Sequence, residues 1–254
     1  MLKLTFLGTS DTAEVPVFGC DCPVCLDANN LKEFRRSSCS VMLKCEGQTM
    51  LIDCGISDML GRFRRDEIGA IIQTHYHGDH AQGLLHIRWG FGKPIPVYGP
   101  EDDEGFADLY KHPGILNFQK PWKHGQTIEF EGFTITAVNL QHSKPTLGYV
   151  IATSRSTVAY LTDTVDLPEE TYELLQAYHF DYLILDCTFP PQETPPRNHN
   201  DLNLVKKIES RLSCDHVILT HISHDMDMWL RDPENRASLP DYYSDAKDNM
   251  SIMI

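Results

Sequence analysis

The sequence predicts an α/β fold with mixed β-sheets, on three observations. Short apolar runs of strand length recur through the first half of the chain. Segments with helical spacing interleave with such runs. The later apolar runs end in polar residues, as α/β sheets do where they present a site at their carboxyl ends.

In chain order, the strand-like runs are Leu2–Leu7, Ser40–Lys44, Thr49–Asp53, Ala70–Thr74 and Pro96–Tyr98. Gln126–Glu131, Thr134–Leu140 and Tyr149–Thr153 continue the series. Three further runs deliver polar residues: Val158–Thr162 before Asp163, Tyr182–Leu185 before Asp186, and His216–Thr220 before His221. Helical spacing marks Asp103–Lys111, Pro168–Tyr178 and Leu202–Leu212, where Val205, Ile208 and Leu212 share a stripe. With no repeat, low-complexity tract or charged linker, residues 1–254 read as one domain.

Composition narrows the function. An apolar content of 41% with 23% charged residues describes a globular chain, not a fibre or a disordered tail. A net charge of −14 argues against a nucleic-acid partner, whose phosphates attract a basic face. No segment approaches the roughly 18 apolar residues of a membrane helix, and the first residues lack the apolar stretch of a signal peptide. The expected compartment is the cytoplasm, where thiols stay reduced. Five of the eight cysteines, Cys39, Cys45, Cys54, Cys187 and Cys214, are scattered and read as small buried hydrophobes.

Two clusters carry the chemistry. Thr74-His75-Tyr76-His77-Gly78-Asp79-His80 places three imidazoles and a carboxylate within six residues, directly after an apolar run. These donors suit a divalent metal, and they converge only if the backbone turns sharply, a turn Gly78 would permit. Further ligands should follow other strand ends, and His142, Asp163 and His221 do. A lone histidine is more often a satisfied core or surface residue, which is the reading given to His86, His112, His124, His179 and His216. The second cluster, Cys20-Asp21-Cys22-Pro23-Val24-Cys25, is too tight for ordinary disulfides and suits a structural Zn²⁺. Its fourth ligand is Cys39, Cys45, Cys54 or a remote histidine.

The HxHxDH pattern with a later His, Asp and His resembles the metallo-β-lactamase superfamily. That resemblance implies an αββα sandwich holding up to two metals. One site would be His75, His77 and His142, the other Asp79, His80 and His221, with Asp163 bridging them. Other segments are similar to one subfamily, the phosphoribosyl 1,2-cyclic phosphate phosphodiesterases of the carbon–phosphorus lyase pathway. These are Arg88-Trp89-Gly90, Pro94–Pro100, Lys111–Gly114, Arg197-Asn198-His199 and Thr220–His224. The stretch after about Arg231 says least.

The subfamily resemblance implies His224 as fourth zinc ligand, Mn²⁺ or Zn²⁺ at the catalytic pair, and His199 as general acid. The substrate would be 5-phospho-α-D-ribose 1,2-cyclic phosphate, hydrolysed to ribose 1,5-bisphosphate in phosphonate catabolism. Its 5-phosphate needs a cationic subsite, for which Lys144 and Arg197 flank the site residues. Arg35, Arg36, Arg62, Arg64 and Arg65 read as solvated surface. Asp186 is expected to orient a ligand imidazole or simply to end a core strand. Base rates favour a homodimer. The competing readings are a tRNA 3′-processing nuclease, which needs basic surface and a protruding arm, a cofactor-biosynthesis hydroxylase with a similar cysteine knuckle, and a non-catalytic metal-binding protein.

Overall fold

The computed structural model describes residues 1–254. Two mixed sheets of seven strands each form its centre. The first contains β1 (Lys3–Gly8), β2 (Ser40–Cys45), β3 (Gln48–Ile52), β4 (Ile68–Ile72), β5 (Ile95–Tyr98) and β6 (Leu116–Phe118). The second contains β7 (Thr127–Phe130), β8 (Phe133–Leu140), β9 (Thr146–Ala152), β10 (Thr157–Leu161), β11 (His179–Asp186), β12 (Ser213–Thr220) and β13 (Tyr243–Asp245). The last strand, β14 (Ser251–Met253), returns to the first sheet and pairs antiparallel with β1 through Leu4 and Ile252.

Helices cover both outer faces. On the first sheet lie α2 (Met59–Arg62), α3 (Gly78–Ile87) and α4 (Ala107–Lys111). On the second lie α5 (Glu169–Leu175), α6 (Leu202–Glu209) and α7 (His224–Arg231). Two short helices, α1 (Pro23–Asn30) and α8 (Pro233–Ala237), flank α7. The architecture is the αββα sandwich that the resemblance implied.

Strand periodicity explains the layers. In β3, Met50 and Ile52 face the inter-sheet core while Leu51 faces the helices. In β12, Ile218 points inward while Val217 and Leu219 meet α6 and α7. Such strands are apolar on both faces, so they read as continuous runs rather than alternating ones. The α6 stripe is Leu202, Val205 and Ile208, capped where Asp201 accepts from the Leu204 amide at 2.9 Å.

Four expectations are corrected. The helix predicted from Asp103 begins only at Ala107, because Asp102 accepts from the Glu104 and Gly105 amides and holds those residues in a turn. The strand predicted to Thr74 ends at Ile72, leaving Gln73 and Thr74 to start the loop that follows. Arg36 is not surface: it is 2% exposed and pairs with Asp227 at 3.1 Å and Asp245 at 2.8 Å. The stretch after Arg231 is structural, since it supplies Asp245 to that network and edge strands to both sheets.

Strands β10, β11 and β12 run parallel, and β8 is antiparallel to β9, which is antiparallel to β10. The carboxyl ends of β8, β10, β11 and β12 therefore open on one edge of the second sheet. His142, Asp163, Asp186 and His221 all lie at or just beyond those ends.

Candidate metal centre and active site

The first half of the motif is loop and the second half is helix. His75 and His77 follow β4, while Asp79 and His80 sit in the first turn of α3. The turn expected at Gly78 is corrected: Gly78 is the first residue of α3, and a Cβ there would meet nothing within 4 Å. The position that requires glycine is Gly55, where a Cβ would lie 1.8 Å from the Asp79 carbonyl oxygen. That close approach seats α3 against the loop after β3.

Three strand ends turn through the left-handed region at residues other than glycine. Asp53 has φ 61°, Asp163 has φ 63° and His221 has φ 57°. Such a conformation costs about 1–3 kcal/mol per residue and persists where surrounding contacts impose it. All three side chains are buried in the centre that follows.

The donor atoms converge into two groups. His77 Nδ1 lies 2.8 Å from His75 Nε2 and 3.1 Å from His142 Nε2. The second group is Asp79, His80 and His221, with Asp79 Oδ2 at 3.6 Å from His80 Nε2 and 3.8 Å from His221 Nε2. Asp163 stands between them. Its oxygens lie 3.9 Å from His75 Nε2, 3.8 Å from His142 Nε2, 3.1 Å from His80 Nε2 and 3.4 Å from His221 Nε2.

Outer contacts fix which nitrogen faces the centre. His80 Nδ1 donates to Asp53 Oδ2 at 2.8 Å, and Asp53 also accepts from the Thr74 amide and hydroxyl at 2.7 and 2.8 Å. His142 Nδ1 donates to the Asn198 carbonyl at 2.9 Å, and Thr188 Oγ1 lies 2.8 Å from His221 Nδ1. In His80, His142 and His221 this leaves Nε2 as the free donor atom.

Whether a metal fits is tested by what these atoms lack. His80 Nε2 and His221 Nε2 are buried and make no hydrogen bond. Buried polar atoms rarely go unsatisfied, and imidazole nitrogens beside carboxylates are what a divalent cation takes. The carboxylates draw positive charge into the centre, which a divalent ion would supply in place of protons on His80 and His221. Burial and the neighbouring imidazoles hold His75 well below its ordinary value, so it is neutral. Burial opposes ionisation of Asp163, but His221, His80 and His75 hold its carboxyl well below the usual range. Burial also opposes charge on His221, yet Asp163 and Asp79 lift it to about 9.

His199 lies at the mouth, 22% exposed, with its ring stacked on His221 at a centroid distance of 4.7 Å. Its Nδ1 is 3.2 Å from Asp186 Oδ2. Asp186 is fully buried and accepts from the Asn200 amide at 2.8 Å and the Thr164 amide at 3.1 Å. The alternatives for Asp186 resolve accordingly: it orients His199 rather than one of the six grouped candidate ligands. The two weak phosphate candidates separate. Lys144 Nζ is already paired with Asp102 at 3.1 Å, whereas Arg197 is exposed, unpaired and adjacent to the Asn198 carbonyl that holds His142.

The cysteine cluster closes on α7. Cys20, Cys22 and Cys25 place their Sγ atoms 3.5, 3.7 and 3.7 Å from His224 Nδ1. A tetrahedral zinc with ordinary N and S bonds would span an N···S edge of about 3.6 Å. Burial disfavours the Cys22 thiolate, but the Cys25 amide and His224 bring its pKa down to about 7. Cys39, Cys45 and Cys54 are buried in the core and leave the fourth position to His224.

The sequence reading missed Asp53, Thr188 and Asn198. Asp53 was within reach, because it too ends an apolar run. Thr188 and the Asn198 carbonyl carry no sequence signal, since any residue offers a carbonyl and hydroxyls are common.

Comparison with known proteins places this geometry. The beta-lactamase superfamily domain matches residues 48–222. A solved diphosphatase of the PhnP family superposes with a TM-score of 0.81 at 30% identity, covering 99% of this chain and 96% of that one. Zn²⁺-bound PqqB from Methylobacterium extorquens has the same fold, with a TM-score of 0.81 at 17% identity and 99% and 100% coverage. A curated relative, ribonuclease Z of Methanosarcina acetivorans, is 29% identical over 165 residues, which is 59% of this chain and 48% of that protein. The chain thus spans about half the length of the curated relatives it matches. The chain belongs to the metallo-β-lactamase superfamily and, within it, to the PhnP family.

Proposed function

We propose that the chain works as one hydrolase domain that opens a small cyclic phosphodiester, 5-phospho-α-D-ribose 1,2-cyclic phosphate, to ribose 1,5-bisphosphate. The single observation that carries this reading is Asp163 standing between two converging donor groups, beside an accessible His199 held by buried Asp186. His75, His77 and His142 would hold one divalent ion and Asp79, His80 and His221 the other, Mn²⁺ by preference and Zn²⁺ otherwise. Such ions supply Lewis-acid polarisation of phosphoryl oxygens and an acidified water.

The residues of the chain do the rest. Asp79 and Asp163 balance the ionic charge without cancelling it, so an anionic ester is held in an acidic protein. Asp186 holds His199 by Nδ1, which leaves Nε2 to carry the proton for the departing sugar oxygen. Cys20, Cys22, Cys25 and His224 would hold a Zn²⁺ that does no chemistry, and Arg197 remains the candidate for the 5-phosphate. The proposed setting is cytoplasmic, as a homodimer, without nucleic acid or membrane; no helix is long and apolar enough to cross a membrane.

Similarity to ribonuclease Z favours a second reading, cleavage at the 3′ end of tRNA precursors. The net charge of −14 weighs against it. The deciding experiment incubates the Mn²⁺-loaded protein with the cyclic phosphate and, separately, with a tRNA precursor. Phosphorus NMR should show ribose 1,5-bisphosphate accumulating and the precursor should stay intact. Cleavage of the precursor alone would establish the second reading, and metal uptake without turnover of either would mark a non-catalytic binder.

A further inference from the structure

Asp11 is an acid beside the His221 turn that the proposed chemistry leaves without a task. It follows β1 on a segment laid against the His221 turn. The Ile222 amide donates to the Thr9 carbonyl at 2.8 Å, and Ser10 Oγ donates to the Ile222 carbonyl at 2.9 Å. Asp11 comes next, half-buried and one residue past the Ser10 bonded to Ile222; burial raises its carboxyl and the positive charge of nearby His221 and His199 opposes that rise. Asp53, Asp79, Asp163 and Asp186 each face an imidazole. Asp11 forms no ion pair; its Oδ1 accepts from the Ala13 amide at 3.1 Å and, weakly, from Ser10 Oγ at 3.5 Å. Its Oδ2 has no partner.

A fixed carboxylate repels phosphate, so this oxygen is suited to a neutral donor on the substrate. On the His199 side, the neutral donor at hand belongs to the alcohol that departs. We propose that Asp11 is a specificity-determining residue that accepts a hydrogen bond from the hydroxyl vicinal to the departing oxygen, on the carbon beside the one that bears it. In the ribose ester this is the 3-hydroxyl: water adds to phosphorus and gives up one proton to solvent, the bond from phosphorus to O2 breaks, and O2 takes the proton of His199, which solvent then restores. Asp11 forms and breaks no bond. It selects sugar-like leaving groups over those without a vicinal hydroxyl. This inference rests on the phosphodiesterase reading above.

The test compares Asp11→Ala, Asp11→Asn and wild type on three probes: the ribose cyclic phosphate, its 3-deoxy analogue, and bis(p-nitrophenyl) phosphate. Asp11→Ala should lower kcat/KM on the hydroxylated ester by about 10- to 100-fold, the effect of one hydrogen bond to a charged group. It should cost nothing further on the deoxy analogue and change the aryl ester less than about two-fold, since neither offers the donor. Asp11→Asn keeps an oxygen for the Ala13 amide and should fall between, with an unchanged melting temperature. Equal losses of Asp11→Ala on all three probes, or none on the hydroxylated ester, overturn the role of Asp11 alone. A wild type that turns over the aryl ester but not the ribose ester overturns the substrate reading, and this inference with it.

Discussion

The two candidate metal clusters are built in opposite ways. The histidine–aspartate centre draws ligands from the loop after β4, the first turn of α3 and the ends of β8, β10 and β12, and its ligands are mostly buried. The cysteine cluster draws three ligands from six consecutive residues that lead into the first turn of α1 and its fourth from the start of α7, with Cys20, Cys22 and His224 only partly buried. The first gathers hard and borderline donors and leaves an open side at His199. The second gathers soft thiolates around one nitrogen and leaves no side open. Closed soft sites hold structure, and open sites with carboxylates do chemistry.

The clusters also touch. His221 and His224 are three residues apart, with Ile222 pinned to Thr9 and Ser223 capping α7 through the Met226 amide. Buried Arg36 then clamps α7 by Asp227 to β13 by Asp245. Loosening the knuckle should therefore reach the centre only through this turn, whereas damage within the centre acts directly. The predicted effects rank on that basis.

Asp163→Ala removes the carboxylate shared by both groups and should give the largest effect. Turnover should fall at least about 10³-fold, the equivalent of several kcal/mol of lost charge stabilisation. Metal counting by mass spectrometry should show fewer ions bound while circular dichroism stays native. Full metal content with near-normal rate would remove Asp163 from the ligand set. Asp79→Ala and His80→Ala should each lose one ion and most activity.

His199→Ala should retain its metals yet slow a sugar ester by about 10²–10⁴-fold, the usual range for general acid catalysis. The loss on bis(p-nitrophenyl) phosphate should be much smaller, because that leaving group needs little protonation. Equal losses would make His199 a binding or structural residue instead.

Asp53→Asn tests the outer layer of the same centre. It weakens the carboxylate that orients His80, so metal affinity should drop about 10- to 100-fold by competition with a chelator. An affinity equal to wild type would show that the left-handed turn at Asp53 alone seats the histidine.

The mildest catalytic effect is expected from the other cluster. Cys22→Ser should lose the knuckle's ion and lower the melting temperature, because ligand closure there is local folding free energy. Turnover should fall only partly and recover in excess Mn²⁺, since every direct ligand of the centre remains. A variant with full zinc content and wild-type melting temperature would show that the cysteine cluster does not hold structure as a closed site.

What could be read from the linear chain follows from local chemistry. The apolar runs from Leu2 to Thr220 name most strands, because a strand buried on both faces has no other composition open to it. His75, His77, Asp79 and His80 announce a metal because their spacing is short, and Cys20, Cys22 and Cys25 do so for the same reason. His142, Asp163 and His221 needed the strand-end rule as well, and Asp53 satisfied that rule unnoticed. Helix α3 stayed hidden inside the motif, because the polar candidate ligands in its first turn mask the apolar stripe of Ala81 and Leu84. The αββα layering and the proposed roles of ligand, acid and knuckle rest on family resemblance, which local pattern alone does not supply.

Tertiary structure decided the long-range pairings. Nothing near Asp186 in sequence says that its partner is His199 rather than a ligand, since that contact forms when the loop after β11 folds back over the strand ends. Arg36 looked like surface and is buried, because two carboxylates more than 190 residues away, Asp227 and Asp245, compensate its charge. Lys144 looked free and is held by Asp102. Sequence by itself determined which donor atoms and apolar faces this protein possesses, as these are properties of single residues and short spacings. Which donor meets which is set by the packing of two sheets, where contacts between distant residues form together and no local pattern encodes the partner.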